Sequence, residues 1–414
     1  MGRSSEASLL LLAFALGCSS SATVGPDAGT DVDTDTDVDT DTDTHVDIWD
    51  WTCDLPPATS CDEFEEVPSP YGVMLYSPDD SDVRYVHASR SPVAILAERT
   101  VGEAADPIVL LLRNGYEDVV EVGLISPPAE QLEAIDIATP PDLYYDASGL
   151  YSSESLFGYP AIALLCSASS CALYGLAVDE NHEPVGLEAI EGGEVPLPES
   201  RAMAFTLGID DAADIGMSDI VCVAGDGVAC FHGGVLWSEE VAPGGNALNS
   251  VDVEYGSEGG PQGFWVAGEG GRIATNRSGE WTEEWTEIDS GTSMDFTAIS
   301  AHAGIWAAGG AGGFAFGDAE HAIACESETP YTAVFVHQSY AIYGTLLELT
   351  ALAADHVLEI RATDAGFEAC VQPNDFEGEP RNADYMPEFG EVTYGYSLTT
   401  GGLYSRVEYI SGVE

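Results

Sequence analysis

The chain has 414 residues, 45% of them hydrophobic, enough for one large core or for two domains. Its 72 acidic residues stand against 11 basic ones, all of them Arg, for a formal net charge of −61. Such a surface repels nucleic acid and anionic lipid, and the absence of Lys excludes P-loop phosphate binding, Schiff-base or PLP chemistry and S-x-x-K acylation.

The N-terminus, "MGRSSEASLLLLAFALGCSSSA", reads as an export signal. Arg3 makes the start weakly positive, and Leu9 to Leu16 is an apolar run too short to span a bilayer. Ala15-Leu16-Gly17-Cys18 resembles the lipobox of bacterial lipoproteins. The resemblance implies a signal peptide over residues 1–17, acylation of Cys18, and release from the inner membrane through Ser19. Ala15 stands where that family has Leu. The other reading is ordinary cleavage after Ala22, which leaves a soluble protein. Farther on, 341–360 is apolar but carries Glu348, Asp355, His356 and Glu359, so it is not a membrane span.

Residues 18–48 are a low-complexity spacer in which Asp alternates with Thr or Val from Asp31 to Asp43. Self-repulsion and the lack of apolar mass predict an extended, disordered segment. It resembles the Asp-rich spacers that follow the lipidated Cys in bacterial surface lipoproteins. An EF-hand loop needs Gly at its sixth position and a distal Glu, and neither is present, so the spacer offers only weak, loose divalent-cation binding. The folded domain is expected over 49–414, from the Trp49-Asp50-Trp51 cluster onward.

Residues 70–200 carry strand-like runs, "YGVMLYS", "DVRYVHAS", "PVAILAE", "DPIVLLLRN" and "EDVVEVGLIS", separated by Pro-, Asp- and Ser-rich turns. "PAEQLEAIDIA" at 128–138 reads as a short helix. "AIALLCSASSCALYG" at 161–175 reads as a hairpin, with Cys166 and Cys171 flanking a tight turn.

The clearest internal repeat lies at 219–329. "VCVAGDGVACF", "FWVAGEGGRIA" and "IWAAGGAGGFA" align on Gly225, Gly268 and Gly309, about 42 residues apart. Each is an apolar strand, a Gly-rich turn and a second apolar strand. That predicts a hairpin in which Gly supplies positive φ. Another strand-like stretch precedes each, so one repeat holds about four strands, as a propeller blade does.

The cysteines fit an oxidising compartment, since an even number remains once Cys18 is assigned to lipid. Cys222 and Cys230 take offsets that Trp265/Ile273 and Trp306/Phe314 hold in the other repeats, which look like facing cross-strand pairs. A disulfide is therefore expected there. A zinc site lacks its second close pair, and no C-x-x-C is present. Spacing pairs Cys53 with Cys61 and Cys166 with Cys171, and elimination pairs Cys325 with Cys370.

The pattern W-x-A-G-x-x-G followed by S-G-x-W is similar to bacterial propellers of the Asp-box (BNR) and photosystem II assembly-factor-like kinds. The resemblance implies an all-β propeller, and at about 42 residues per repeat the folded region holds six to eight blades, seven favoured. The strand-rich C-terminus, "EVTYGYSLTTGGLYSRVEYI", is expected to pair with an early strand and close the ring. "NRSGEW" and "FHGGVLW" depart from the Ser-x-Asp-x-Gly order, and no sialidase-type Arg, Tyr and carboxylate set maps onto this chain.

No G-x-S-x-G, H-E-x-x-H or helix-opening G-x-G-x-x-G is present, so the sequence names no catalytic residue, cofactor or metal site. Trp265 and Trp306 read as core, and Trp281 and Trp285 as candidates for a sugar-binding face. The expectation is a lipid-anchored acidic propeller, facing the periplasm or the cell surface from the outer membrane. It acts as a binding or scaffolding module for a protein or polysaccharide ligand, without nucleic acid. A carbohydrate-active hydrolase and a purely structural surface protein are the alternatives.

Overall fold

The computed structural model describes residue 53, residues 73–76 and, apart from several short stretches, residues 82–409. All of these lie in the compact unit Val46–Glu414. Among the described residues the secondary structure is β-strand, with one 3-10 turn at Glu269–Gly271.

The strands form seven four-stranded antiparallel blades. The first strands of blades 1 to 7 are Val83–Ala88, Glu133–Ala138, Ser200–Ile209, Leu248–Tyr255, Phe296–His302, Ala333–Ala341 and Pro380–Met386. Each is the innermost strand of its blade and contacts the first strands on either side, the last meeting the first, so the seven make a closed inner ring. Blades 4 and 5 are joined by a parallel bridge between Tyr255 and His302. A small hairpin, Tyr144–Asp146 with Gly149–Tyr151, is inserted into blade 2.

The ring closes as the C-terminal strands suggested. Val73–Tyr76 pairs antiparallel with Gly402–Tyr409 and becomes the outermost strand of blade 7, the last blade in the chain. Closure completes the ring, in which each blade keeps only short, protected edges.

Blade stacking explains the sequence pattern. A strand inside a blade is covered on both faces by neighbouring blades, so it reads as a continuous apolar run rather than an alternation. Ile162–Cys166 is buried at every position. Alternate residues then feed different interfaces. Leu96 and Leu111 pack toward blade 2, while Ile95 and Leu110 pack with Leu398 and Leu403 of blade 7. Trp265 and Trp306 are completely buried in the layer between blades 4 and 5.

Three expectations are corrected. The helix read at 128–138 is a strand, Glu133–Ala138, paired with Ile162–Cys166. The β-branched Ile135 and Ile137 and the available partner strand outweigh the local helical pattern. Second, Cys222 does face Cys230, but the same offsets fail in the other repeats. Trp265 faces Thr275 and Trp306 faces Gly317, because the turns of those two hairpins are longer.

Third, the close pairing of Cys53 with Cys61 and of Cys325 with Cys370 does not occur: Cys53 is bonded to Cys325 across 272 residues. Spacing could not show this because the ring brings the start of the domain against the outer strand of blade 5, Ala322–Glu326. Cys370 is also disulfide-bonded. The hairpin staples Cys166–Cys171 and Cys222–Cys230 each join directly opposed residues of adjacent strands. Cys18, Cys61, the spacer and Trp281 lie outside the described residues.

Candidate functional site

The inner ring encloses a channel of about 310 Å³ to which all seven blades contribute. That volume is at the low end for a small-molecule site. Its polar lining includes His87, Asp136, Arg201, Asn249, Asp252 and Arg381.

The acidic side chains of the channel tie neighbouring blades together. Asp136 is only 2% exposed; its Oδ1 accepts the backbone N–H of Ile137 at 2.7 Å, and its Oδ2 accepts that of Met203, on the next blade, at 2.7 Å. Asp252 repeats the device two blades on. Oδ1 accepts from Val253 at 2.8 Å and Oδ2 from Ala301 of the following blade at 3.0 Å. Ser250 Oγ accepts from Ile299, and Ser300 Oγ from Val336, each at 3.1 Å and each across a blade seam. An edge strand of a blade has backbone N–H groups with no ladder partner, and these side chains satisfy them.

The basic groups sit differently. His87 Nδ1 lies 2.9 Å from Asp136 Oδ1, which links blade 1 to blade 2. Arg201 Nη1 donates to Asn249 Oδ1 at 2.5 Å and to Glu269 at 3.4 Å, and Nη2 reaches Glu199 at 3.3 Å. Arg381, at the start of the first strand of blade 7, is exposed and has no ion-pair partner among the described residues. Arg201 and Arg381 both lie near the N-terminal ends of their strands, so they mark one mouth of the channel.

Chemically, this is a hydrogen-bonding cavity. The Asp136 carboxylate orients His87, but both of its oxygens are already held by backbone donors. The hydroxyls of Ser250 and Ser300 act as acceptors toward the strands, so their hydrogens remain to be donated. Below the channel surface, Glu254 is completely buried, and burial raises its carboxyl above the usual range against the pull of Trp265, Arg277 and the Gly304 N–H.

None of these channel residues stood out in the sequence. His87 and Asp136 meet only through the register between blades, and an isolated Arg such as Arg381 belongs to no motif. One signal was available: the acid in "EAIDIA" and the acid in "SVDVEY" fall at equivalent places in first strands. Of the tryptophans weighed for a sugar-binding face, Trp285 is half-buried against the core between blades 3 and 4.

No family model matches the sequence, and no curated protein matches it. Among solved structures the chain is similar to the WD40 domain of Toxoplasma gondii coronin, with 10% identity, TM-score 0.46, and 85% of this chain and 86% of that one covered. It is also similar to BBS1N in complex with ARL6DN, with 11% identity, TM-score 0.45, and coverage of 83% and 98%. BamB from Moraxella catarrhalis is a third, with 11% identity, TM-score 0.43, and coverage of 80% and 83%.

Proposed function

We propose that this chain is an exported propeller that works as a binding or scaffolding module at the cell envelope, with the channel mouth as its binding site. It is anchored by an acylated Cys18 and held off the membrane by residues 18–48. The observation that carries the binding role is the channel itself. Seven strands converge on an open cavity whose carboxylates are occupied by backbone donors, while guanidinium and hydroxyl donors face inward. That is recognition chemistry: donors left free to meet a ligand inside a concave, partly apolar cavity. The lipid anchor rests on the Ala15 to Ser19 sequence alone.

The test is cross-linking in the native membrane fraction, comparing the intact protein with Thr297→Trp, which enlarges an exposed side chain of the channel lining. The binding reading requires a discrete cross-linked species that the plugged variant loses. An unchanged cross-linking pattern would move binding away from the channel. Turnover of a glycoside substrate, abolished by His87→Ala, would establish the hydrolase instead. A mass map of the same fraction reads the anchor: an acylated N-terminus at Cys18 supports it, and a free N-terminus near Thr23 overturns it.

A further inference from the structure

The charge of this chain makes one residue conspicuous. Acids outnumber arginines more than six to one, so an exposed guanidinium has carboxylates available almost everywhere. Arginines in all parts of the ring take them: Arg84 meets Glu98, Arg113 meets Glu183, and Arg361 meets Glu348. Every Arg whose side chain is described has a Glu partner, with one exception. The exception is Arg381, and it lines the channel.

No carboxylate among the described residues pairs with Arg381. Asp136 and Asp252, the channel's carboxylates, are each held by two backbone N–H groups. Arg201, on the far side of the ring, is held by Asn249, Glu199 and Glu269. What remains to meet a ligand is a set of donors: the Arg381 guanidinium and the hydroxyl hydrogens of Ser250 and Ser300.

We propose that the channel mouth binds a small carboxylate-bearing ligand, with Arg381 as its anchoring contact. This rests on the channel being a binding site, as argued above. A guanidinium matches a carboxylate in a planar, two-bond fork. One unpaired positive charge balances one carboxylate, whereas a phosphate near its second ionisation would leave excess negative charge inside a strongly acidic molecule. The volume, about ten waters at roughly 30 Å³ each, limits the occupant to a small organic acid or the terminus of a chain.

Calorimetric titration at about 0.15 M salt, where the overall field is screened within about 8 Å, tests this on the full chain. Three probes are compared: succinate, acetyl-trialanine with a free C-terminus, and the same peptide as its amide. The proposal expects saturable binding of at least one carboxylate probe, at least tenfold tighter than the amide. Arg381→Gln abolishes it, Arg381→Lys weakens it, and Arg272→Gln, whose side chain is not in the channel lining, leaves it unchanged. Succinate alone binding identifies a free acid, and the free peptide alone identifies a chain terminus. Equal binding of peptide and amide overturns the carboxylate assignment while keeping the channel as a binding site. No binding by any probe also overturns it, and the Thr297→Trp comparison then decides separately whether the channel binds anything.

Discussion

Glu254 Oε2 accepts the indole Nε1–H of Trp265 at 2.7 Å, and both side chains are completely buried. The other carboxylate oxygen accepts the Gly304 N–H at 2.6 Å and lies 3.2 Å from Arg277 Nε. One acid thus joins two strands of blade 4 to the first turn of blade 5. Burial is the largest influence on it and raises its folded-state pKa. A raised carboxyl pKa contributes stability below the unfolded value, which is lost as pH rises through the folded value. Glu254→Gln does not titrate and leaves one of two buried donors unmet, a loss of about 1–3 kcal/mol. Its deficit relative to the parent protein should therefore be larger at pH 5 than at pH 7. Urea denaturation at the two values measures this; a larger deficit at pH 7 would mean that Arg277 and the donors outweigh burial.

Asp252 tests the inter-blade device. Asp252→Ala strips partners from the Val253 and Ala301 N–H groups, so a loss of about 2–4 kcal/mol is expected. Asp252→Asn keeps one acceptor and should lose less. Ser300→Ala orphans a single N–H, that of Val336, and should lose about 1 kcal/mol. Denaturation midpoints at constant slope give the order. Equal losses for Asp252→Ala and Ser300→Ala would show that strand pairing, rather than these side chains, holds the seams.

Much of this architecture was legible because it is local. Cys222 and Cys230 face each other across a tight hairpin, so their spacing sufficed. The buried apolar runs betrayed blade strands, and the full burial of Trp265 and Trp306 followed from their apolar repeat position. What could not be read depends on closure. Cys53 meets Cys325, and His87 meets Asp136, only after the blades have taken their places around the ring. The meaning of Arg381 is less local still, since it emerges from the pairing of all the other described arginines.

The Cys53–Cys325 bond closes a loop of 272 residues. The chain-entropy argument assigns such a cross-link on the order of 5 kcal/mol, through restriction of the unfolded chain. The double variant Cys53→Ser/Cys325→Ser should melt several degrees lower than the parent, whereas Cys166→Ser/Cys171→Ser, closing a separation of 5 residues, should lose less. Non-reducing peptide mapping checks the connectivity directly. A Cys53 peptide linked to Cys61 would contradict it, and the same map names the partner of Cys370.

The repeat glycines divide two tasks: Gly270, Gly271 and Gly313 supply the positive φ expected of the Gly-rich turns, whereas another glycine in each repeat supplies close approach. Gly225 in blade 3, Gly268 in blade 4 and Gly310 in blade 5 each face the first residues of the inner strand: Ser200, Leu248 and Phe296. A Cβ on any of the three would collide with the carbonyl oxygen just ahead of that strand, at Glu199, Ala247 or Asp295. In the third repeat the glycine that matters is Gly310, one residue beyond the one aligned by sequence. Gly268 is extended, at φ −167°, a conformation open to any residue, so the requirement there is steric. Gly225→Ala should therefore push the inner strand of blade 3 inward and cost about 1–3 kcal/mol, as overpacking does. Gly123→Ala is the control: its Cβ would meet nothing within 4 Å, so the change should be neutral or stabilise by up to about 1 kcal/mol. Thermal melting of the two variants side by side measures the contrast. Equal melting temperatures would mean that the inner strand yields to the methyl group, and that the repeat glycine answers to the turn after all.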